Sequence, residues 1–175
     1  MSEFLTDIQV LRDRARANIE NGPVTDAYKA DLPRVIDVLQ QALATELVCV
    51  LRYRQHHYAA KGLDSEPVAA EFLQHANEEQ QHADLLATRI GQLGGTADFN
   101  PATLSLRAHS EYRTAESLME MVRENLVAER IAVASYTEII GWLGDGDPTT
   151  RRMLEEILAM EEEHAEDLLS FMSDL

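Results

Sequence analysis

The amino-acid sequence predicts an all-α protein: an antiparallel four-helix bundle with one long crossover and a short N-terminal helix. Hydrophobic residues make up 45% of the 175 residues, so the chain can bury a sizeable core. Only five prolines and eight glycines interrupt a composition rich in strong helix formers. Apolar residues recur with helical spacing in four long segments, and breaks containing glycine or proline separate them.

The amino-terminal part is predicted to hold a short amphipathic helix followed by a linker. The helix extends from about Phe4 to Ile19, and Asn21-Gly22-Pro23 ends it. The chain is therefore divided into an N-terminal extension, residues 1–31, and a four-helix bundle, residues 32–175.

Residues that commonly start or stop helices bound the four long segments. Glycine follows the first two segments, where it suits the left-handed residue after a helix. Aspartate and serine precede the second, and proline takes the first position of the fourth. The predicted helices run from Pro33 to Lys61, from after Asp64-Ser65 to Leu93, from after Thr114 to Gly141, and from Pro148 to near Leu175.

The lengths of the links between these helices predict the topology. The first and third links are short, so helices one and two, and helices three and four, form antiparallel hairpins. The middle link, from Gly94 to Thr114, has about 20 residues and no clear periodicity. Because a compact domain rarely carries so long a loop without a structural role, we expect it to cross along the bundle and join the hairpins.

Charge and cysteine content exclude several functional classes. The formal net charge is −16, which predicts weak or no nucleic-acid binding and no binding to anionic membranes. The single cysteine, Cys49, excludes an intramolecular disulfide and a thiolate-rich metal site. The sequence has no signal peptide and no apolar stretch of membrane-spanning length, so a cytoplasmic location is expected.

Two Glu-x-x-His motifs, Glu79/His82 and Glu161/His164, carry the strongest functional signal. Residues three positions apart lie on one face of a helix, so each pair can bind a single ion. Each pair also lies on the apolar stripe of its helix and is predicted to face the core. A buried carboxylate without a partner is costly, and it usually needs a cation or a proton.

An internal repeat adds two further glutamates to these motifs. Glu46 and Tyr53 of the first helix recur 83 residues later as Glu129 and Tyr136 of the third. The Glu-x-x-His pair of the second helix recurs 82 residues later in the fourth. A bundle with two-fold pseudo-symmetry would bring all four glutamates and both histidines to one centre.

The donor types of this centre indicate the kind of metal. Four carboxylates and two imidazoles suit iron or manganese better than structural zinc. The alternative is that the buried acids are satisfied by arginine or tyrosine side chains.

The sequence resembles the ferritin-like di-iron carboxylate proteins, most closely bacterioferritin and Dps-like cage proteins with a bacterioferritin-type centre. The resemblance covers about residues 33–175 and implies a ferritin-like bundle. It rests on Glu46-Leu47-Val48 with Tyr53, on Glu79-Gln80-Gln81-His82-Ala83-Asp84, on Asn125-Leu126-Val127-Ala128-Glu129-Arg130 and on Glu161-Glu162-Glu163-His164.

The resemblance implies a ferroxidase with two iron ions per subunit, for which manganese or zinc could substitute. The chain would oxidise Fe2+ with O2 or H2O2 and store or detoxify the product. By resemblance, Glu46 and Glu129 would be terminal ligands, Glu79 and Glu161 would bridge the ions, and His82 and His164 would each complete one iron site.

The resemblance also carries expectations about haem and assembly. In bacterioferritin a methionine directly follows the first bridging glutamate and binds haem, whereas this chain has Gln80 there, so no haem is expected. Only 11 residues follow His164, too few for the fifth helix of the 24-subunit families. We therefore expect a homo-oligomeric cage of 12 subunits, with 24 subunits as the alternative.

Three other functions fit the same residues. A rubrerythrin-like di-iron peroxidase would need an external electron donor, because the cysteine pairs of a rubredoxin module are absent from the sequence. A di-manganese catalase-like enzyme would use the same donors with another metal. A non-enzymatic helical scaffold would bind no metal.

Other polar residues carry weaker signals. Tyr53 and Tyr136 could hydrogen-bond the ligands, accept an oxidising equivalent, or be ordinary core residues. His75 lies four residues before Glu79 and could orient a ligand. His56 and His57 are expected at the surface.

Overall fold

The computed structural model describes residues 6–62 and 65–174, and helices dominate both ranges. The helices are α1 (Ile8–Ala17), α2 (Leu32–Ala59), α3 (Ser65–Gln92), α4 (Leu104–Arg107), α5 (Leu118–Leu143) and α6 (Pro148–Asp174). A 3-10 turn, Ile19–Asn21, follows α1. Neither described range contains a β-strand, and the predicted all-α class is confirmed.

Helix α5 departs most from the bounds expected of the long helices. It begins at Leu118, and not directly after Thr114, because Ser117 and Glu120 form a capping box. The Ser117 hydroxyl accepts a hydrogen bond from the Glu120 backbone N–H at 3.2 Å, and the Glu120 carboxylate accepts one from the Ser117 N–H at 3.2 Å. The helix then continues two residues beyond Gly141.

The long helices form two antiparallel hairpins, α2–α3 and α5–α6, joined by the predicted crossover. The crossover follows α2 from its start toward its end. Gln40 donates a hydrogen bond to the Thr96 carbonyl at 2.7 Å, and further along α2 Arg52 donates to the Glu111 carbonyl at 3.1 Å. The chain therefore enters α5 beside the end of α2. The one-turn helix α4, which the sequence did not predict, lies within this crossover.

Two apolar clusters fill the bundle, one toward each end. The first includes Leu39, Leu43, Leu86, Ile90, Leu154 and Ile157. The second includes Cys49, Phe72, Met121, Val122 and Leu168. Full burial of a large apolar side chain contributes ~1.5–3 kcal/mol, so these clusters can offset the cost of the polar layer between them.

Residues that follow α1 hold the N-terminal segment against the bundle. No residue of α1 is buried, and Ile8 and Leu11 are exposed. The predicted start of this helix, Phe4, lies outside the described residues. After the helix, Tyr28 donates a hydrogen bond to the Asp147 carboxylate at 3.1 Å. Within the described ranges, no helix is both long and apolar enough to cross a lipid bilayer.

Candidate metal centre

Each long helix contributes one glutamate to the layer between the apolar clusters, and α3 and α6 add a histidine each. All six side chains are almost completely buried. They are Glu46 of α2, Glu79 and His82 of α3, Glu129 of α5, and Glu161 and His164 of α6. Helical spacing explains this placement, because each residue shares a face with the apolar residues one turn away.

The six side chains meet as two overlapping groups. One group is Glu46, Glu79, His82 and Glu161, and the other is Glu79, Glu129, Glu161 and His164. Within each group the oxygen and nitrogen atoms that could bind a metal lie within 4.8 Å of one another. Both groups share the glutamates of α3 and α6. The structure thus brings together every residue that the sequence singled out for the centre.

Both histidines direct Nδ1 into the centre. His82 Nδ1 lies 3.0 Å from Glu161 Oε1, 3.2 Å from Glu79 Oε2 and 3.6 Å from Glu46 Oε2. His164 Nδ1 lies 3.7 Å from Glu79 Oε1. A single imidazole nitrogen carries at most one proton, so it cannot donate hydrogen bonds to three carboxylates.

The opposite ring nitrogens hold the histidines from outside the centre. His164 Nε2 lies 3.0 Å from Glu78 Oε2, and His82 Nε2 lies 3.5 Å from the sulfur of Met160. These contacts fix the ring orientations, as partners behind metal-bound histidines commonly do.

Several polar atoms of this layer have no hydrogen-bond partner although they are buried. They are Glu79 Oε1, Glu129 Oε2, both carboxylate oxygens of Glu161, and His164 Nδ1. Buried polar side-chain atoms are usually paired, and an unpaired buried charge is especially costly. Unpaired oxygens and a nitrogen that converge on one point fit the donor set of a metal site.

The carboxyl groups of the centre compete for protons because they are close and buried. Burial raises the pKa of Glu46 to about 8, and the charge of Glu79 adds to this. Burial and the other three carboxylates raise the pKa of Glu161 well above its usual range. Burial also raises the pKa of Glu79, but the neighbouring imidazoles of His164 and His82 outweigh it and hold that pKa well below its usual range.

The pKa values of both histidines in this layer are raised. Burial lowers the pKa of each ring, but hydrogen bonds to carboxylates outweigh burial. The carboxylates of Glu46 and Glu79 raise the pKa of His82 to about 10. Contacts with Glu79 and Glu129 raise the pKa of His164 to about 9. The raised pKa values of both histidines let their positive charges offset part of the negative charge of the neighbouring carboxylates.

Two tyrosines form reciprocal hydrogen bonds with the glutamates of α2 and α5. The Tyr53 hydroxyl of α2 donates a hydrogen bond to Glu129 of α5, and the Tyr136 hydroxyl of α5 donates one to Glu46 of α2. These cross-helix bonds also show that α2 and α5 run antiparallel. They match the two-fold relation between the halves that the internal repeat predicts.

The structure corrects one expectation about the other histidines. His56 is fully buried, not at the surface, and its Nδ1 lies 3.3 Å from the side-chain oxygen of Asn125. Arg52 donates to the same oxygen at 2.9 Å. The sequence signal was present: His56 lies on the stripe of Cys49 and Tyr53, at helical spacing.

Comparison with known proteins now identifies the fold. A model of the ferritin-like domain matches residues 36–175. The chain belongs to the ferritin-like family. A bacterioferritin from Brucella melitensis is 32% identical over 146 residues, which are 82% of this chain and 84% of the relative. A "DNA protection during starvation protein" from Pyrococcus furiosus is 31% identical over 138 residues, 77% of this chain and 74% of the relative.

Solved structures of ferritin-like proteins superpose on this ferritin-like chain. A dodecameric thioferritin, the bacterioferritin-related protein from Bacteroides fragilis, gives a TM-score of 0.80 at 34% identity over 83% of this chain and 88% of that chain. Rhodobacter capsulatus bacterioferritin, described with a dinuclear site and a haem iron, gives a TM-score of 0.70 at 25% identity. The match covers 83% of this chain and 86% of that chain. The ferritin-like bundle and the resemblance to bacterioferritin and Dps are confirmed.

Proposed function

We propose that this ferritin-like protein binds two iron ions among Glu46, Glu79, His82, Glu129, Glu161 and His164, and that it oxidises ferrous iron. The observation that carries the proposal is the set of buried oxygens and nitrogen without hydrogen-bond partners at the meeting point of the four helices. Four ionised carboxylates carry a charge of −4, which two divalent cations balance. Neutralised in this way, the layer can lie between two apolar clusters.

The proposed ligand roles follow the overlap of the two groups. Glu79 and Glu161 belong to both groups and would bridge the ions. Glu46 and His82 would complete one iron site, and Glu129 and His164 the other. Each ferrous ion supplies one electron, so the pair supplies the two electrons that, with two protons, reduce O2 to H2O2 or H2O2 to two molecules of water.

The chain's own residues hold these ligands and exclude water. The hydroxyls of Tyr53 and Tyr136 bond to one terminal carboxylate each, which leaves the other carboxylate oxygen to face the centre. Glu78 fixes the His164 ring from behind. The apolar clusters above and below the layer keep bulk water away, so the charges interact strongly.

The test of this proposal is a pair of isosteric substitutions in the bridging residues. The double variant Glu79→Gln/Glu161→Gln should bind fewer than two irons per chain and lose rapid ferroxidation, because it lacks both proposed bridging carboxylates. The matched control is Glu162→Gln/Glu163→Gln, which removes two exposed carboxylates from α6. Elemental analysis and stopped-flow oxidation measure the outcome, and wild-type rates in the bridging variant would contradict the proposal. A manganese content in place of iron would favour the catalase-like alternative.

We further propose that the protein forms a cage of 12 subunits that stores oxidised iron. A single bundle can oxidise iron but cannot enclose a mineral, so storage needs a closed assembly. The dodecameric Bacteroides fragilis protein, 34% identical, supports this size. Light scattering should give about 235 kDa, twelve times the 19.6 kDa chain mass. A mass twice as large would favour the 24-subunit alternative, and a monomer would contradict storage.

A further inference from the structure

A second polar cluster lies beside the proposed centre, where α3 and α6 face each other. It consists of Glu71 and His75 of α3 and Asp167 of α6. His75 is fully buried, whereas the Glu71 and Asp167 side chains keep 24% and 43% of their surface exposed. The cluster therefore connects the bundle interior with solvent.

The buried His75 nitrogen points at two carboxylates without bonding to either. His75 Nε2 lies 3.3 Å from Glu71 Oε1 and 3.6 Å from Asp167 Oδ2. Despite this proximity, Nε2 has no hydrogen-bond partner. A buried nitrogen is rarely left unpaired, so a ligand other than a carboxylate is expected here.

The hydrogen bonds on the other side of the ring fix its tautomer. Tyr53 donates its proton to Glu129, so its oxygen can only accept from His75 Nδ1, which lies 3.1 Å away. A neutral imidazole with its proton on Nδ1 has a bare lone pair on Nε2. That lone pair faces two carboxylate oxygens, and the three donors repel one another unless a cation lies between them.

These donors and their surroundings suit a divalent transition-metal ion. One imidazole nitrogen and two carboxylate oxygens lie within 4.8 Å of one another, and ions such as Fe2+, Co2+ and Zn2+ accept this mixture. Partial exposure leaves room for water ligands and for exchange with solvent. Exchangeable binding is the property that a transfer site needs.

The cluster adjoins the proposed di-iron centre directly. The rings of His75 and His164 are stacked, with centroids 4.0 Å apart. His164 directs Nδ1 into the centre, and Glu78 Oε2 lies 3.0 Å from its other nitrogen. His75, Glu78 and His164 also have potential ligand atoms within 4.8 Å of one another. Potential metal ligands therefore extend from the partly exposed carboxylates of the cluster to the centre.

We propose that Glu71, His75 and Asp167 form a third divalent-cation site, which takes Fe2+ from solvent and passes it to the centre. The existence of the site rests on its own three residues. Only the delivery role rests on the proposed function.

Co2+, a redox-silent probe, tests the site in the intact protein. Crystals of the wild-type protein soaked in Co2+ should show three anomalous peaks per chain, two in the centre and one beside His75. Peaks in the centre alone would overturn the third site while leaving the proposed function intact. A peak beside His75 without peaks in the centre would support the third site and contradict the proposed function. No peak at either place would overturn both.

A double variant with a matched control tests the same site in solution. Glu71→Gln/Asp167→Asn should reduce Co2+ binding from three to two ions per chain, and it should raise the half-saturating Fe2+ concentration for oxidation several-fold. The control Glu66→Gln/Glu166→Gln removes two exposed carboxylates from the same helices and should match the wild type. Three Co2+ ions in the first variant would overturn the site. An unchanged half-saturating Fe2+ concentration would overturn the delivery role.

Discussion

Replacement of Glu161 by glutamine should stabilise the metal-free protein and abolish its stabilisation by metal. Both oxygens of Glu161 are buried without a hydrogen-bond partner. Burial and the neighbouring carboxylates raise the pKa of Glu161 well above its ordinary value of 4.5. Glutamine has nearly the same shape and carries no charge, and the introduced amide can donate hydrogen bonds to those carboxylates.

The size of the effect follows from the unpaired state of the Glu161 carboxyl group. A buried polar group without a hydrogen-bond partner costs ~1–3 kcal/mol, and both Glu161 oxygens are in this state. Removing this cost should raise the melting temperature by roughly 2–12 °C for a chain of this size.

Metal should reverse the order of the melting temperatures of the wild type and the Glu161→Gln variant. At a free metal concentration 100-fold above Kd, each site stabilises the wild type by about 2.7 kcal/mol, or about 5 kcal/mol for two sites. Glu161 is the proposed bridge between both ions, so the variant should lose most of this gain. Wild type should then melt at the higher temperature.

Differential scanning calorimetry with and without Co2+ measures both effects. The control Glu162→Gln changes the exposed neighbour on α6 and should follow the wild type. Because the folded-state pKa of Glu161 is raised, the cost of keeping its proton is absent below the ordinary pKa of 4.5 and grows as the pH rises above it. The variant's advantage should therefore increase as the pH rises above 4.5. A destabilised metal-free variant, or an advantage independent of pH, would refute the reasoning.

Three further predictions concern protons, haem and DNA. Hydrogen bonds to carboxylates outweigh burial and raise the pKa of His82 to about 10 and of His164 to about 9, so metal must displace their protons at pH 7. Calorimetry in buffers of different ionisation enthalpy should show proton release, and an affinity that does not rise from pH 6 to 9 would contradict this. Gln80 offers no thioether and donates a hydrogen bond to Asp84 at 3.0 Å, so protein expressed with added haem should show no Soret band. Because the net charge is −16, a gel shift at physiological salt without divalent cations should show weak or no DNA binding, and tight binding would count against the charge argument.

The sequence predicted the fold because its signals are local. Glycine, proline and capping residues placed the helix ends within a few residues, and link lengths predicted the hairpins and the crossover. The α5 start was missed because Ser117 and Glu120 cap that helix three residues later than expected. The helix α4 was missed because one turn is too short to show periodicity.

The sequence also predicted which residues face the core, including all six of the proposed ligands. The burial of His56 was overlooked, although helical spacing places His56 on the stripe of Cys49 and Tyr53. The proximity of His75 to Asp167 was not predicted, because it joins two helices that are distant in sequence. Periodicity on one helix carries no information about which residue of another helix lies opposite.

By itself, the sequence determined which long helices form and which stripe of each faces inward, since a period of 3.6 residues fixes direction around the helix axis. The tertiary structure alone decided how the helices align along their axes. That alignment sets Tyr53 against Glu129, and Tyr136 against Glu46. It also leaves the Glu161 oxygens without partners. Axial alignment depends on packing between side chains far apart in the chain, and no local pattern encodes those distances.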